Sequence, residues 1–172
     1  MTAALGVETL NGLDQAAFTQ HLGPLYEHSP WVAERAWAAR PFSDRQGLHA
    51  AMMEVLEAAS ADETLALIRA HPELAGKVAL AGDLTAASRE EQASAGLGSL
   101  TPEEFSRFHR LNAAYDARFG FPFIICVRLT DKAGILAAME ARLRNSRAEE
   151  ISEALRQIGL IGRLRLEDAV AS

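Results

Sequence analysis

Apolar residues recur at three- and four-residue intervals along most of the chain, the period of helices that bury one face. The punctuation agrees. Ser29 and Pro30 place a cap residue ahead of a proline at a first helical position, and Ser60-Ala61-Asp62-Glu63, Thr101-Pro102-Glu103-Glu104 and Ser146-Arg147-Ala148-Glu149 share the Ser/Thr-x-x-Glu form of a capping box. The spacing predicts about eight helices, near 13–22, 30–38, 44–59, 61–70, 89–95, 102–118, 132–143 and 147–166. Only Phe121-Pro122-Phe123-Ile124-Ile125-Cys126-Val127 is short, apolar and β-branched enough for a strand. It holds a proline and has no partner run, so an extended buried segment between helices is expected over 121–127. With no repeat, low-complexity tract or Pro/Gly-rich linker, residues 1–172 are expected to form one all-α domain.

Certain polar residues break the apolar pattern. In the last helix Ile151, Ala154, Leu155, Ile158 and Ile161 predict the core side. Arg165, seven residues after Ile158, points only about 20° away from it, whereas Arg156 and Arg163 point well off the stripe. A guanidinium keeps its proton, so a buried Arg165 requires a carboxylate, carbonyls or a ligand, and a structural ion pair satisfies that demand as well as a site does. His71 stands directly before Pro72, which ends the preceding helix. There the negative end of the helix dipole favours a protonated imidazole, suited either to donating a proton or simply to capping carbonyls. Ser88-Arg89-Glu90-Glu91-Gln92 reads first as a further capping box, Ser88 bonding the amide near Glu91, and also as a helix start presenting amides, a hydroxyl and a carboxylate to a polar ligand. Asn112, on the apolar face of its helix with Phe105, Phe108, Tyr115 and Phe119, is expected to brace a nearby loop. His21, His28, His49 and His109 have no companion at ligand or triad spacing.

Composition narrows the classes. A hydrophobic share of 49% with 23% charged residues describes a folding chain, and a net charge of −6 without a basic cluster disfavours nucleic acid and anionic membrane as partners. Cys126 has no second cysteine to pair with, and no metal-ligand spacing occurs, so no metal is expected. The first ten residues lack a secretory pattern, no run suffices to span a bilayer, and Asp168-Ala169-Val170-Ala171-Ser172 is no peroxisomal address. A cytoplasmic location is expected.

Four stretches together, His71-Pro72-Glu73-Leu74-Ala75-Gly76, Ser88-x-x-Glu91-Gln92-x-x-Ala95-Gly96, Leu111-Asn112-x-x-Tyr115-x-x-Arg118-Phe119-Gly120-Phe121-Pro122-Phe123 and Arg163-Leu164-Arg165-Leu166, resemble the OHCU decarboxylase family. Trp37-Ala38-Ala39-Arg40-Pro41-Phe42 and Arg142-Leu143-Arg144-Asn145-Ser146 extend the resemblance, which covers about 13 to 166. It implies an all-α carboxy-lyase that converts 2-oxo-4-hydroxy-4-carboxy-5-ureidoimidazoline (OHCU) to (S)-allantoin in urate degradation. It also implies a homodimer without metal or organic cofactor, and an association with the hydrolase that acts on 5-hydroxyisourate. By the same resemblance His71 is the proton donor with Pro72 beside it, and Glu91 and Arg165, rather than Arg163, complete the catalytic set. Ser88, Arg89, Glu90, Glu91 and Gln92 bind substrate, as does the backbone of Phe123, Ile124, Ile125, Cys126 and Val127, where an extended segment without a sheet partner has free amides to offer. A non-enzymatic helical interaction module, or a hydrolase or lyase of a related ureido compound, competes with this reading.

Overall fold

The computed structural model describes residues 4–76 and 82–172, which divide into two compact units, Met1–Ala70 with Gly159–Ser172, and His71–Ile158. Both are built almost wholly of helices.

The first unit opens with β1 (Leu5–Gly6) and α1 (Val7–Asn11). Then come α2 (Gln15–Leu22), α3 (Trp31–Ala36), α4 (Arg45–Ala58) and α5 (Ala61–Arg69), with 3-10 turns at Gly23–Leu25 and Trp37–Ala39. Asp14 and Asp44 cap α2 and α4 by accepting from Ala17 N and Gly47 N, each at 2.8 Å, and Ser60 and Glu63 close the expected capping box on α5. Ser29 departs from expectation. Its hydroxyl donates to the Glu27 carbonyl at 2.8 Å, Pro30 takes the cap position, and α3 starts without a side-chain cap. Helix α3 packs on α2 and α4 around buried Phe18, Leu22, Val32, Leu48 and Met52. Arg40 lies over the Trp37 ring, 3.8 Å from its centroid, and donates to the carbonyls of Asn11 and Leu13, so the Trp37–Phe42 motif ties a loop down.

The second unit holds α6 (Ala86–Ser94), α7 (Pro102–Phe119), α8 (Lys132–Arg142) and the start of α9 (Arg147–Ala169), which ends in the first unit. The boxes at Thr101 and Ser146 form as expected, and Gly120, at φ 78°, terminates α7 by donating to Asp116 O. Tyr115, Phe119, Phe121 and Phe123 make one aromatic cluster, with centroids 4.6 to 6.0 Å apart.

Three features were not expected. Helix α1 lies ahead of the first helical signal, and a short β2 (Val170–Ala171) pairs in parallel with β1, Leu5 opposite Val170 and Gly6 opposite Ala171. The buried side of α9 is also turned from the expected stripe: Ala154, Gln157, Ile158, Gly159, Gly162, Arg165 and Leu166 are buried, whereas Ile151, Leu155 and Ile161 are only half-buried. Glycines cause the turn. A Cβ at Gly159 would stand 2.8 Å from the Met53 sulfur, and one at Gly162 only 2.6 Å from the Tyr26 hydroxyl, so neighbours approach on that side.

Candidate functional site

The turn bearing His71 is fixed by side chains from two helices. Helix α5 ends at Arg69, as Pro72 requires, and His71 is buried at 8% exposure. Ala75 sits at φ 53° and donates its amide to Gln92 Oε1 at 3.2 Å, while Asn112 Nδ2 donates to the Leu74 carbonyl at 2.9 Å. Asn112 is therefore the loop brace expected of it. Gly76 is required here because a Cβ would lie 2.7 Å from Glu73 Cβ.

Helix α6 starts earlier than expected. Thr85, not Ser88, caps it by accepting from Ser88 N at 3.2 Å, which moves the start from 89 to Ala86 and leaves no Ser88–Glu91 capping box. Thr85 lies one turn upstream, and with it as the cap Ser88 falls inside the helix on its buried side. At about 100° per residue Ser88, Glu91 and Gln92 share one face. Ser88 and Gln92 are buried, Glu91 is half-buried, and Arg89 and Glu90 are exposed, Arg89 lying 3.5 and 3.4 Å from the carbonyls of Gly82 and Leu84. Because the Gln92 oxygen faces the Ala75 amide, its NH2 group is left as a donor.

The extended segment is present, unpaired by any strand among the described residues, although Val127 already begins a 3-10 turn, Val127–Leu129. That turn packs on α6. Its backbone is less free than an unpaired strand suggests: Arg142 Nη1 donates to the Ile124 carbonyl at 2.7 Å, and the Cys126 amide donates to Gln157 Oε1 at 2.9 Å. The Cys126 amide is thus committed to protein. Gln157 is oriented in turn by donating to Glu153 Oε1 at 2.8 Å, and the Arg156 guanidinium bonded to Glu153 holds that carboxyl at about 2. Beneath the segment Glu150, fully buried, accepts from Tyr115 Oη at 2.6 Å, Arg142 Nε at 2.8 Å and Asn145 Nδ2 at 2.9 Å. Burial first, then the bond to Glu150, pushes the Tyr115 hydroxyl well above its ordinary range. The Arg142 guanidinium lies 4.2 Å from the Phe123 ring centroid.

Arg165 is buried as its place on α9 predicts, and it belongs to the first unit. Its Nη2 donates to Glu27 Oε1 at 2.9 Å and its Nη1 lies 3.4 Å from the Leu25 carbonyl. Sequence reasoning missed Glu27, Glu150 and Gln157. Glu150 had a legible signal, four and eight residues before Ala154 and Ile158 on the same face; Glu27, in a turn without periodicity, had none.

In the second unit, then, the structure joins the histidine turn to α6 through the Ala75–Gln92 bond, and α6 to the end of the extended segment by packing. The scaffold is all-α, and Ser88, Gln92 and Asn112 are the buried polar side chains around this turn. The chain belongs to the OHCU decarboxylase family, whose sequence model matches residues 11–167. It is 43% identical over 164 residues to 2-oxo-4-hydroxy-4-carboxy-5-ureidoimidazoline decarboxylase of Halalkalicoccus jeotgali, covering 95% of this chain and 91% of that protein. Against the uric acid degradation bifunctional protein of Bacillus subtilis the identity is 42%, over 95% of this chain and 32% of that one. The crystal structure of an (S)-allantoin synthase aligns with a TM-score of 0.77 and 32% identity over 98% of this chain and 54% of that chain.

Proposed function

We propose that the chain decarboxylates OHCU to (S)-allantoin, as a carboxy-lyase of urate degradation. The observation that carries this reading is the bonding of the His71 turn to the helix of Ser88, Glu91 and Gln92, the two stretches to which the family resemblance assigns the proton donor and the substrate contacts.

In the proposed reaction the carbon–carbon bond to the carboxylate breaks, CO2 leaves, and the electron pair shifts into the adjoining C=N, which takes a proton from solvent to leave an enol. The substrate is its own electron sink. His71 then protonates the neighbouring ring carbon from one face while the hydroxyl proton passes to Glu91, which sets the handedness of the product. Arg165 grips a ring or ureido oxygen, where charge accumulates, because clamping the departing carboxylate would stabilise the ground state instead. Ser88 and the Gln92 NH2 group hold the substrate's polar edge, with the remaining amides of 123–127 along its plane and Pro72 beside the imidazole. Exposed Arg89 and Glu90 take the outermost contacts of the same stretch. The reading includes a homodimer in the cytoplasm that needs no metal or organic cofactor, an association with a hydroxyisourate hydrolase, and a single domain over residues 1–172. Among the described residues no helix is long and apolar enough to cross a membrane.

The test is to generate OHCU freshly from urate and follow the optical activity of the allantoin formed. The protein should give an enantiomeric excess of the S form where spontaneous decay gives the racemate, and His71→Asn should lose about 10²- to 10⁴-fold in rate while remaining folded. A racemic product at the spontaneous rate overturns the function; near-normal turnover in His71→Asn removes His71 from it.

A further inference from the structure

We infer that Glu27 is a positioning residue for Arg165, fixing the guanidinium in the orientation from which it grips the substrate. The inference rests on the proposed role of Arg165 in the decarboxylation, but the observations beneath it are independent of that role. Glu27 is 2% exposed and Arg165 7%, so the pair is almost wholly withdrawn from water. Two acceptors from one short stretch, Glu27 Oε1 at 2.9 Å and the Leu25 carbonyl at 3.4 Å, meet two different nitrogens of the same fork. A planar guanidinium held at both terminal nitrogens cannot rotate about its long axis, and one edge is thereby set.

The stretch that does this is itself anchored on both sides of Glu27. Leu25 ends a 3-10 turn that begins at Gly23, and the Ser29 hydroxyl donates to the Glu27 carbonyl at 2.8 Å. Tyr26 lies against Gly162, one turn ahead of Arg165 on α9, so closely that a Cβ there would be 2.6 Å from its hydroxyl and 2.7 Å from Cζ. Any displacement of Tyr26 moves Glu27, and with it the anchored edge of Arg165. Stability alone does not account for such a pair, because a buried ion pair is commonly replaced by apolar residues of similar volume without loss.

The test measures thermal midpoint, kcat and KM, with freshly generated OHCU, for Glu27→Gln, Glu27→Leu, Arg165→Met and the double variant Glu27→Leu with Arg165→Met. Glu27→Gln keeps the volume and an acceptor oxygen; it should fold and lose at least about tenfold in kcat with little change in KM, because the gripped oxygen gains its charge only as CO2 leaves. Glu27→Leu strands a buried cation and should unfold more readily, whereas the double variant should regain the wild-type midpoint and be no less active than Arg165→Met alone. Wild-type kcat in folded Glu27→Gln overturns the inference, as does a double variant clearly less active than Arg165→Met, since Glu27 would then act on its own account. Full activity in Arg165→Met overturns the role of Arg165 itself, and so separates the failure of that reading from a failure confined to Glu27.

Discussion

Replacing Glu150 by leucine should be among the most damaging single changes in the second unit. The carboxylate has no exposure and takes three donors, from Tyr115, Arg142 and Asn145. Leucine fills much of the volume but leaves Arg142, itself 7% exposed and with no hydrogen bond at Nη2 among the described residues, as a buried cation without its Glu150 counter-charge. Breaking a buried pair from one side costs about 3–5 kcal/mol. The bonds lost from Tyr115 and Asn145 belong to the same network and do not simply add. For a chain of this length about 1 kcal/mol shifts the thermal midpoint by roughly 2–4 °C, so a loss of about 4 kcal/mol predicts a fall of roughly 8–16 °C. Circular dichroism melts at constant scan rate and protein concentration measure it. A midpoint within about 3 °C of wild type would refute the argument that the carboxylate neutralises Arg142, and with it the claim that this pair holds the Ile124 carbonyl in place.

Two further outcomes follow from the first unit. Burial, and after it the Arg163 charge, holds the half-buried His49 imidazole below its ordinary value, with Glu167 opposing, and its Nδ1 has no partner among the described residues. The unfolded chain therefore takes up that proton more readily; the stabilisation is whole above about pH 6.5 and is lost as pH falls through the folded value. Melts between neutral and mildly acid pH should fall less steeply in His49→Gln than in wild type, and equal slopes would show that His49 contributes nothing. Gly162→Ala gains about 1 kcal/mol of helix propensity but sets a methyl 2.6 Å from the Tyr26 hydroxyl, an overpacking that costs about 1–3 kcal/mol. Its midpoint should be level or lower and its turnover reduced; a more stable, fully active variant would mean that Tyr26 yields freely.

Local chemistry was legible where it is written in neighbouring residues. The boxes at Ser60, Thr101 and Ser146 and the stop before Pro72 needed no knowledge of the fold, and the extended run at 121–127 was recognisable because nothing else in the chain matched it. Where two residues competed for one task the sequence was silent: Thr85 and Ser88 are both caps, and the choice follows from which side chain is buried. The helical period of α9 puts Arg165 on the buried side but misplaces the centre of that face, because it gives no weight to Gly159 and Gly162, whose absent side chains admit Met53 and Tyr26. Partners across long separations, Glu27 for Arg165 and Gln157 for the Cys126 amide, had no local signature at all.

The discontinuous makeup of the first unit imposes an order on synthesis. Glu27 leaves the ribosome 138 residues ahead of Arg165, and Arg45 waits 122 and 125 residues for the carbonyls of Glu167 and Val170 that its side chain meets. Until then Glu27 lacks the guanidinium it meets in the folded chain. The uninterrupted stretch His71–Ile158 faces no such wait. The segment up to Ala70 is therefore completed only after the second unit has been made.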